Sequence, residues 1–98
     1  MPAELVWLDE ALDDLQAISD YISKDSPRAA KRYTEAIATA CAKLAEFPES
    51  GRRYGERYRA LAVRNHTVFY NYDKEIRMVS ITAIFHGRRN IEALLEKL

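Results

Sequence analysis

The sequence predicts an α+β fold, with a helical hairpin in its first half and an antiparallel sheet in its second. Three observations carry this. Apolar residues recur every three or four positions from Leu8 to Ile22 and again from Ala30 to Phe47, the period of a half-buried helix. Residues 59–85 instead alternate and are rich in β-branched and aromatic side chains. The chain has 98 residues, 48% hydrophobic and 31% charged, which suits one domain spanning 1–98. A domain of that size buries about two-thirds of its unfolded surface and needs no staples.

Glu4-Leu5-Val6-Trp7 reads as a short apolar strand leading straight into a helix. Asp9 is placed to cap that helix, with Glu10 favourable in its first turn. Leu8, Leu12, Leu15, Ile18 and Ile22 form its apolar stripe, with Ala11 beside them. Asp13, Asp14, Asp20 and Lys24 fall on the other side, and the helix ends near Lys24. Asp25-Ser26-Pro27 restarts the chain. Ser26 is a good N-cap, and Pro27 fits the first helical position, where its missing N–H costs nothing. Ala30, Tyr33, Ile37, Ala40, Cys41, Leu44 and Phe47 mark the second helix, which Pro48 stops. Two amphipathic helices on so short a link form an antiparallel hairpin.

Residues 49–58 read as a basic loop, punctuated by Ser50, Gly51 and Gly55 and carrying Arg52, Arg53 and Arg57. Residues 59–63 alternate as a strand, Arg64-Asn65 turns, and residues 66–72 form a second strand. Asp73-Lys74-Glu75 is a hairpin turn, and residues 76–85 are the longest strand. Val79, Ile81, Ala83 and Phe85 share one face of it, Met78, Ser80, Thr82 and Ile84 the other. Gly87 breaks it. Residues 88–98 make a short final helix with Ile91, Leu94, Leu95 and Leu98 on one side. The order βααβββα gives a three- to four-stranded, mainly antiparallel sheet. The N-terminal strand joins it at an edge or near the centre. The helical hairpin covers one face, because neither layer can bury its apolar stripe alone.

The charge balance is uneven. Residues 1–50 hold five basic and ten acidic side chains, net −5; residues 51–98 hold ten basic and five acidic, net +5. The plain reading is two solvated faces of different sign. The sharper one is a basic surface that meets an acidic peptide or nucleic acid. The lone cysteine, Cys41, excludes an internal disulfide and sits in a helical stripe as core filler. With no leader-like start and no apolar run near 18 residues, a cytoplasmic location without membrane association is expected. His66 and His86 are the only histidines and form no helical pair, so neither a metal nor a cofactor is expected. What remains is a concentration of Arg59, Arg64, His66, Tyr70, Tyr72, Arg77, His86, Arg88 and Arg89 on and around the sheet. Guanidinium forks suit phosphate or carboxylate. His66 reads as structural, and His86 either caps a strand end or has a functional role. Arg77 reads as a solvated strand residue paired with Asp73 or Glu75, and Trp7 as a core anchor.

Trp7, Ala11, Asp14-Leu15, Ile18, Tyr21-Ile22, Ala30, Leu44, Phe47-Pro48, Gly51, Arg59, Leu61, Val63, Val68, Phe69-Tyr70, Val79, Ile81, Ile84 and His86-Gly87-Arg88-Arg89 resemble the RelE/ParE toxin superfamily over nearly the whole chain. The stretches LAEFPESGRR and IFHGRRN are its most specific parts. The resemblance implies the compact αβ toxin fold of type II toxin–antitoxin systems. RelE-like members cut mRNA in the ribosomal decoding site, whereas ParE-like members poison DNA gyrase. RNA cleavage by 2′-OH attack needs a base, an acid and a cation for the developing phosphorane charge. RelE-like enzymes often supply lysines and arginines on the sheet and a tyrosine near the C-terminus. Here no Lys lies between residues 44 and 73, and no Tyr follows Tyr72. A net +5 over residues 51–98 is also modest for a protein that sits on ribosomal RNA. A Glu/His/Arg nuclease arrangement remains as the alternative, with Glu56, Arg64 and His86. The HGRR ending and the FPESG loop look more like ParE. That branch implies DNA gyrase as the target and a ParD-like, ribbon-helix-helix antitoxin as the partner. It implies no catalytic residues and no direct DNA binding by the toxin alone. The target- or antitoxin-binding surface is then Arg59, Arg64, Arg77, His86, Arg88 and Arg89.

Overall fold

Glu4–Trp7 forms β1 as the sequence predicts, and Leu8 turns the chain directly into α1 (Asp9–Ser23) in the computed structural model, which describes residues 1–87. The final helix expected over 88–98 lies outside the described residues. Leu8 is the N-cap and makes no side-chain capping bond. Asp9 is instead the first helical residue, where it and Glu10 meet the positive end of the helix dipole. Ser26 caps α2 (Pro27–Lys43) as expected: its Oγ accepts the Ala29 N–H at 3.1 Å, and Pro27 stands at the helix start.

The buried stripe of α1 is rotated from its predicted position. Leu8 and Leu12 are 41% and 46% exposed, while Ala11 is fully buried and Leu15 and Ile18 pack on the core. The small Ala11 lets the helix approach the sheet closely. That rotation also turns Asp14 inward, contrary to its expected outer position. Beyond Trp7, β1 no longer covers the edge of β5, and Asp14 Oδ2 accepts the Ile84 N–H there at 2.9 Å. A strand-edge donor that would otherwise lack a partner is thus satisfied by a helix carboxylate. In α2, Ala30, Ile37 and Cys41 are buried as predicted, and Leu44 follows as C-cap. Phe47, predicted to continue the stripe, lies beyond the helix and is 62% exposed.

The sheet has five strands in the order β1-β5-β4-β3-β2, more than the three or four expected. The extra one is β2 (Arg52–Tyr54), antiparallel to β3 (Tyr58–Val63), with Gly55 at φ 66° in the connecting turn. Its arginines hid it in the sequence; charge on a very short edge strand deters pairing with other chains. β4 (His66–Asp73) and β5 (Met78–His86) complete the antiparallel part, and β1 pairs parallel with β5 at the opposite edge. The β4–β5 turn runs two residues past its predicted end. Ile76 is therefore an exposed turn residue, and Arg77 sits at φ 52°.

A β-bulge changes the faces of β5. Phe69 pairs with Ala83, but Tyr70 pairs with Ile81, so Thr82 is an extra residue in β5. Val79 and Ile81 face the helices, and after the bulge so does Ile84, packed with Ile37, Cys41, Leu44, Val68 and Tyr70. Ala83 belongs to the other cluster with Phe69, Ala60, Tyr54 and Phe85. The predicted grouping of Val79, Ile81, Ala83 and Phe85 on one face fails because one inserted residue inverts the alternation.

Tyr70, fully buried, ties the 48–51 segment to this core. Its hydroxyl accepts the Gly51 N–H at 2.8 Å and donates to the Pro48 carbonyl at 2.9 Å. Gly51 is needed for close approach: a Cβ there would lie 2.4 Å from the Tyr70 hydroxyl oxygen.

Candidate functional site

His66 opens β4 and His86 closes β5, and the register sets them directly opposite each other. Alternation puts His66 on the helix-facing side with Val68 and Tyr70. The bulge brings His86 to the same side; an unbulged β5 with Val79 and Ile81 inward would turn it away. The two imidazoles meet edge to face, 5.0 Å between centroids at 74°.

Tyr33, from α2, reaches this corner. Its hydroxyl lies 2.5 Å from His66 Nδ1 and 3.2 Å from the Asn65 N–H, which donates to it. The phenol oxygen has a proton to give and lone pairs to accept with, so it serves the His66 ring and the Asn65 N–H at once. Burial, and then the neighbouring His86, hold the His66 pKa below the usual imidazole value.

Arg64 sits in the two-residue β3–β4 turn at φ 54°, a left-handed backbone that costs a side-chain-bearing residue roughly 1–2 kcal/mol. Its guanidinium carbon lies 5.9 Å from the Tyr33 ring centroid, within cation–π range. Strain of this kind collects at functional positions. Two clefts flank the corner. One, of about 540 Å³, has an apolar wall of Ala17, Ile18, Tyr21 and Ile22 from α1, with Tyr33, Asn65 and both histidines opposite. The other, of about 460 Å³, is lined by Ala62, Arg64, Asn65, His66, His86 and Gly87. Together they present an apolar groove beside a cation and two imidazoles. Such a surface suits a segment carrying both apolar and acidic groups.

The remaining predicted site residues lie elsewhere. Arg59 is committed to structure: it donates to the Glu49 and Gly51 carbonyls at 3.0 and 2.9 Å and pairs with the Glu49 carboxylate at 3.5 Å. Arg77 bonds the Met1 carbonyl rather than Asp73 or Glu75. It precedes β5, whose nine residues span roughly 30 Å to His86. Glu56 belongs to a third cleft of about 250 Å³, with Glu49, Arg53, Arg57, Tyr58, Arg59, Tyr72 and Lys74. The six residues of β3, roughly 20 Å long, separate Glu56 from Arg64. The structure thus brings Arg64 and His86 together and leaves Glu56, Arg59 and Arg77 apart from them. Arg88 and Arg89 lie outside the described residues.

Sequence reasoning gave Tyr33 only a core role, and it missed Asn65. Neither carries a motif, because their partners are fixed by the docking of α2 on the β3–β4 turn. Among the described residues, no three His, Cys, Asp or Glu side chains gather as a metal site. No helix among them is long and apolar enough to cross a membrane.

Comparison with known proteins matches residues 5–91 to the family described as the ParE toxin of the type II toxin–antitoxin system, parDE. The chain is 41% identical over 87 residues to a protein named Toxin RelE2 from Caulobacter vibrioides, covering 89% of this chain and 98% of that one. It is 50% identical over 46 residues to the putative toxin Y4kP of Sinorhizobium fredii, 47% and 48% of the two chains. Among solved structures, it resembles the chromosomal ParDE toxin–antitoxin system of P. aeruginosa with a TM-score of 0.75 at 21% identity, over 88% and 97% of the chains. It also resembles an arginine-substituted E. coli RelE in the free state, with a TM-score of 0.70 at 16% identity over the full length of both. At such identities the structural likeness speaks for the fold alone.

Proposed function

The chain belongs to the ParE toxin family of type II toxin–antitoxin systems, and from that premise we propose that it acts in the cytoplasm by binding DNA gyrase, without cleaving RNA. The observation that carries this reading is the separation of Glu56 from Arg64 and His86 by the length of β3. A nuclease needs its base, acid and cation converged on one phosphate, and a gap of that size leaves Glu56 unable to serve the imidazole. The histidine pair is a poor substitute. The Tyr33 hydroxyl occupies His66 Nδ1, so that nitrogen is already engaged within the fold. Binding needs only a surface, and the corner of Arg64, His86 and the α1 groove is that surface.

A second reading, ribosome-dependent mRNA cleavage, is favoured by the name of the 41% identical relative, Toxin RelE2. One experiment separates the two. Purified chain at excess is expected to block supercoiling by gyrase and to leave mRNA on programmed ribosomes intact. Unimpaired supercoiling together with cleaved codons would replace the first reading by the second. Arg64→Gly is the informative variant, because the left-handed φ favours glycine and the fold is expected to survive.

The partner is an antitoxin, proposed as ParD-like with a ribbon-helix-helix domain. Of the arginines expected to meet its acidic segment, Arg64 is, among the described residues, the one beside the apolar groove. Association is expected to weaken as salt rises; affinity unchanged from 50 mM to about 500 mM salt would point to apolar contacts alone.

A further inference from the structure

We propose that the cleft at the β2–β3 hairpin binds a phosphate dianion, carried by a small phosphomonoester. The site is independent of the Arg64 corner and of the target proposed for it, since the length of β3 separates the two. The wall of this cleft, about 250 Å³ in volume, carries four cations, Arg53, Arg57, Arg59 and Lys74, and two carboxylates, Glu49 and Glu56, a net charge of +2. A phosphomonoester bears nearly two negative charges at neutral pH, whereas a phosphodiester or a carboxylate bears one.

The fold holds these cations together against their own repulsion. Arg53 pairs directly with Arg59 across the β2–β3 ladder. Residues so opposed share a face with their Cβ atoms about 5 Å apart, and like charges there disfavour the pairing. Arg59 is answered by the Glu49 and Gly51 carbonyls and by the Glu49 carboxylate. The same carboxylate also meets Lys74 at 3.5 Å, so one negative charge serves two positive ones. Among the described residues, Arg53 and Arg57 enter neither ion pair. Arg57 follows Gly55, whose φ of 66° makes the hairpin turn, and its carbonyl accepts from Asn71 Nδ2 at 3.0 Å, which ties that turn to β4. Tyr58 and Tyr72 add hydroxyl donors to the same wall. Two guanidinium forks, an ammonium and two phenols are a donor set for phosphate oxygens. Solvation alone accounts for exposed arginines, but not for two set directly opposite each other under a shared carboxylate.

The test uses the full, untagged chain at low ionic strength, where such contacts are least screened. Inorganic phosphate and adenosine monophosphate, titrated at pH 7.5 by calorimetry and by nuclear magnetic resonance, are each expected to bind once per chain and to shift the resonances of Arg53, Arg57 and Lys74. The nucleotide is expected to bind at least as tightly as inorganic phosphate, and dimethyl phosphate and acetate about tenfold or more weakly. Affinity for the nucleotide is expected to fall about threefold from pH 7.5 to 5.5, because its second proton returns at about pH 6. Arg53 and Arg57 are exposed, so the double variant Arg53→Gln with Arg57→Gln is expected to keep the fold, checked by circular dichroism, and to weaken binding about tenfold or more. Arg52→Gln removes one charge from the opposite face of β2 and is expected to bind phosphate as the parent chain does. An equal loss in Arg52→Gln, equal affinity in the folded double variant, or dimethyl phosphate bound as tightly as the nucleotide would overturn the proposal. Inorganic phosphate bound more tightly than the nucleotide would overturn the ester.

Discussion

Tyr70→Phe removes one oxygen from the centre of the protein and tests how the FPESG segment is held. The hydroxyl serves two backbone groups, the Gly51 N–H at 2.8 Å and the Pro48 carbonyl at 2.9 Å, and the ring is fully buried. Phenylalanine keeps the ring and its apolar contacts, so the transfer term is nearly unchanged. What changes is that a buried donor loses its partner, at about 1–3 kcal/mol, and an acceptor loses one of its bonds, at about 1 kcal/mol. The expected loss is about 2–4 kcal/mol, a large part of the roughly 5–15 kcal/mol that holds a domain of this size. In thermal terms this is a drop of roughly 10–25 °C. Urea unfolding followed by circular dichroism measures it, with the denaturant slope unchanged if the variant stays two-state. Gly51→Ala approaches the same contact from the loop. Its Cβ would stand 2.4 Å from the hydroxyl oxygen and 2.6 Å from Cε1 of a ring with nowhere to go, and overpacking adds about 1–3 kcal/mol to the lost bond. Both changes break the Gly51–Tyr70 hydrogen bond, so the double variant should cost less than the sum of the two. Additivity to within about 0.5 kcal/mol, or a Tyr70→Phe loss below that figure, would refute the reasoning.

Three further outcomes are expected. Asp14→Ala strips the Ile84 N–H of its acceptor and should cost about 1–3 kcal/mol by urea melt; a neutral result would mean that water satisfies that strand edge. Because the His66 pKa is lowered on folding, the unfolded chain binds more protons near pH 6.5. Stability should therefore hold above that value and fall as pH drops through the folded pKa, measured as urea midpoints at pH 7.5 and 5.5; His66→Gln should flatten the difference, and an acid loss of equal size in that variant would exclude His66 as its source. Burial pushes the Cys41 thiol up to about 12, so a disulfide-exchange reagent at pH 8 should label it only as the protein unfolds; full labelling of native protein within minutes would contradict its burial.

The boundaries that were legible in the sequence are those set by local chemistry. Ser26-Pro27 started α2 where it was read, Arg64-Asn65 made the tight turn, and β1 occupied residues 4–7 as expected. Where the sequence misled, the missing term was always a neighbour. β2 is polar because it is an edge, and its pairing with β3 is what makes it a strand. Leu12 obeys a helical period yet is 46% exposed, since the sheet contacts Ala11 instead.

The candidate site shows the same division more sharply. Arg64 and His86 could be named from side-chain type alone, because a guanidinium fork and an imidazole both suit an anionic partner. Their convergence with His66 and Tyr33, and the exclusion of Glu56, depended on strand register. By itself the sequence determined the two helices and the four longer strands, since hydrophobic period and caps act over a few residues. Only the tertiary structure decided which side chains meet, because a single bulge at Thr82 reverses the face of every residue after it, and that bulge is fixed by pairing with β4.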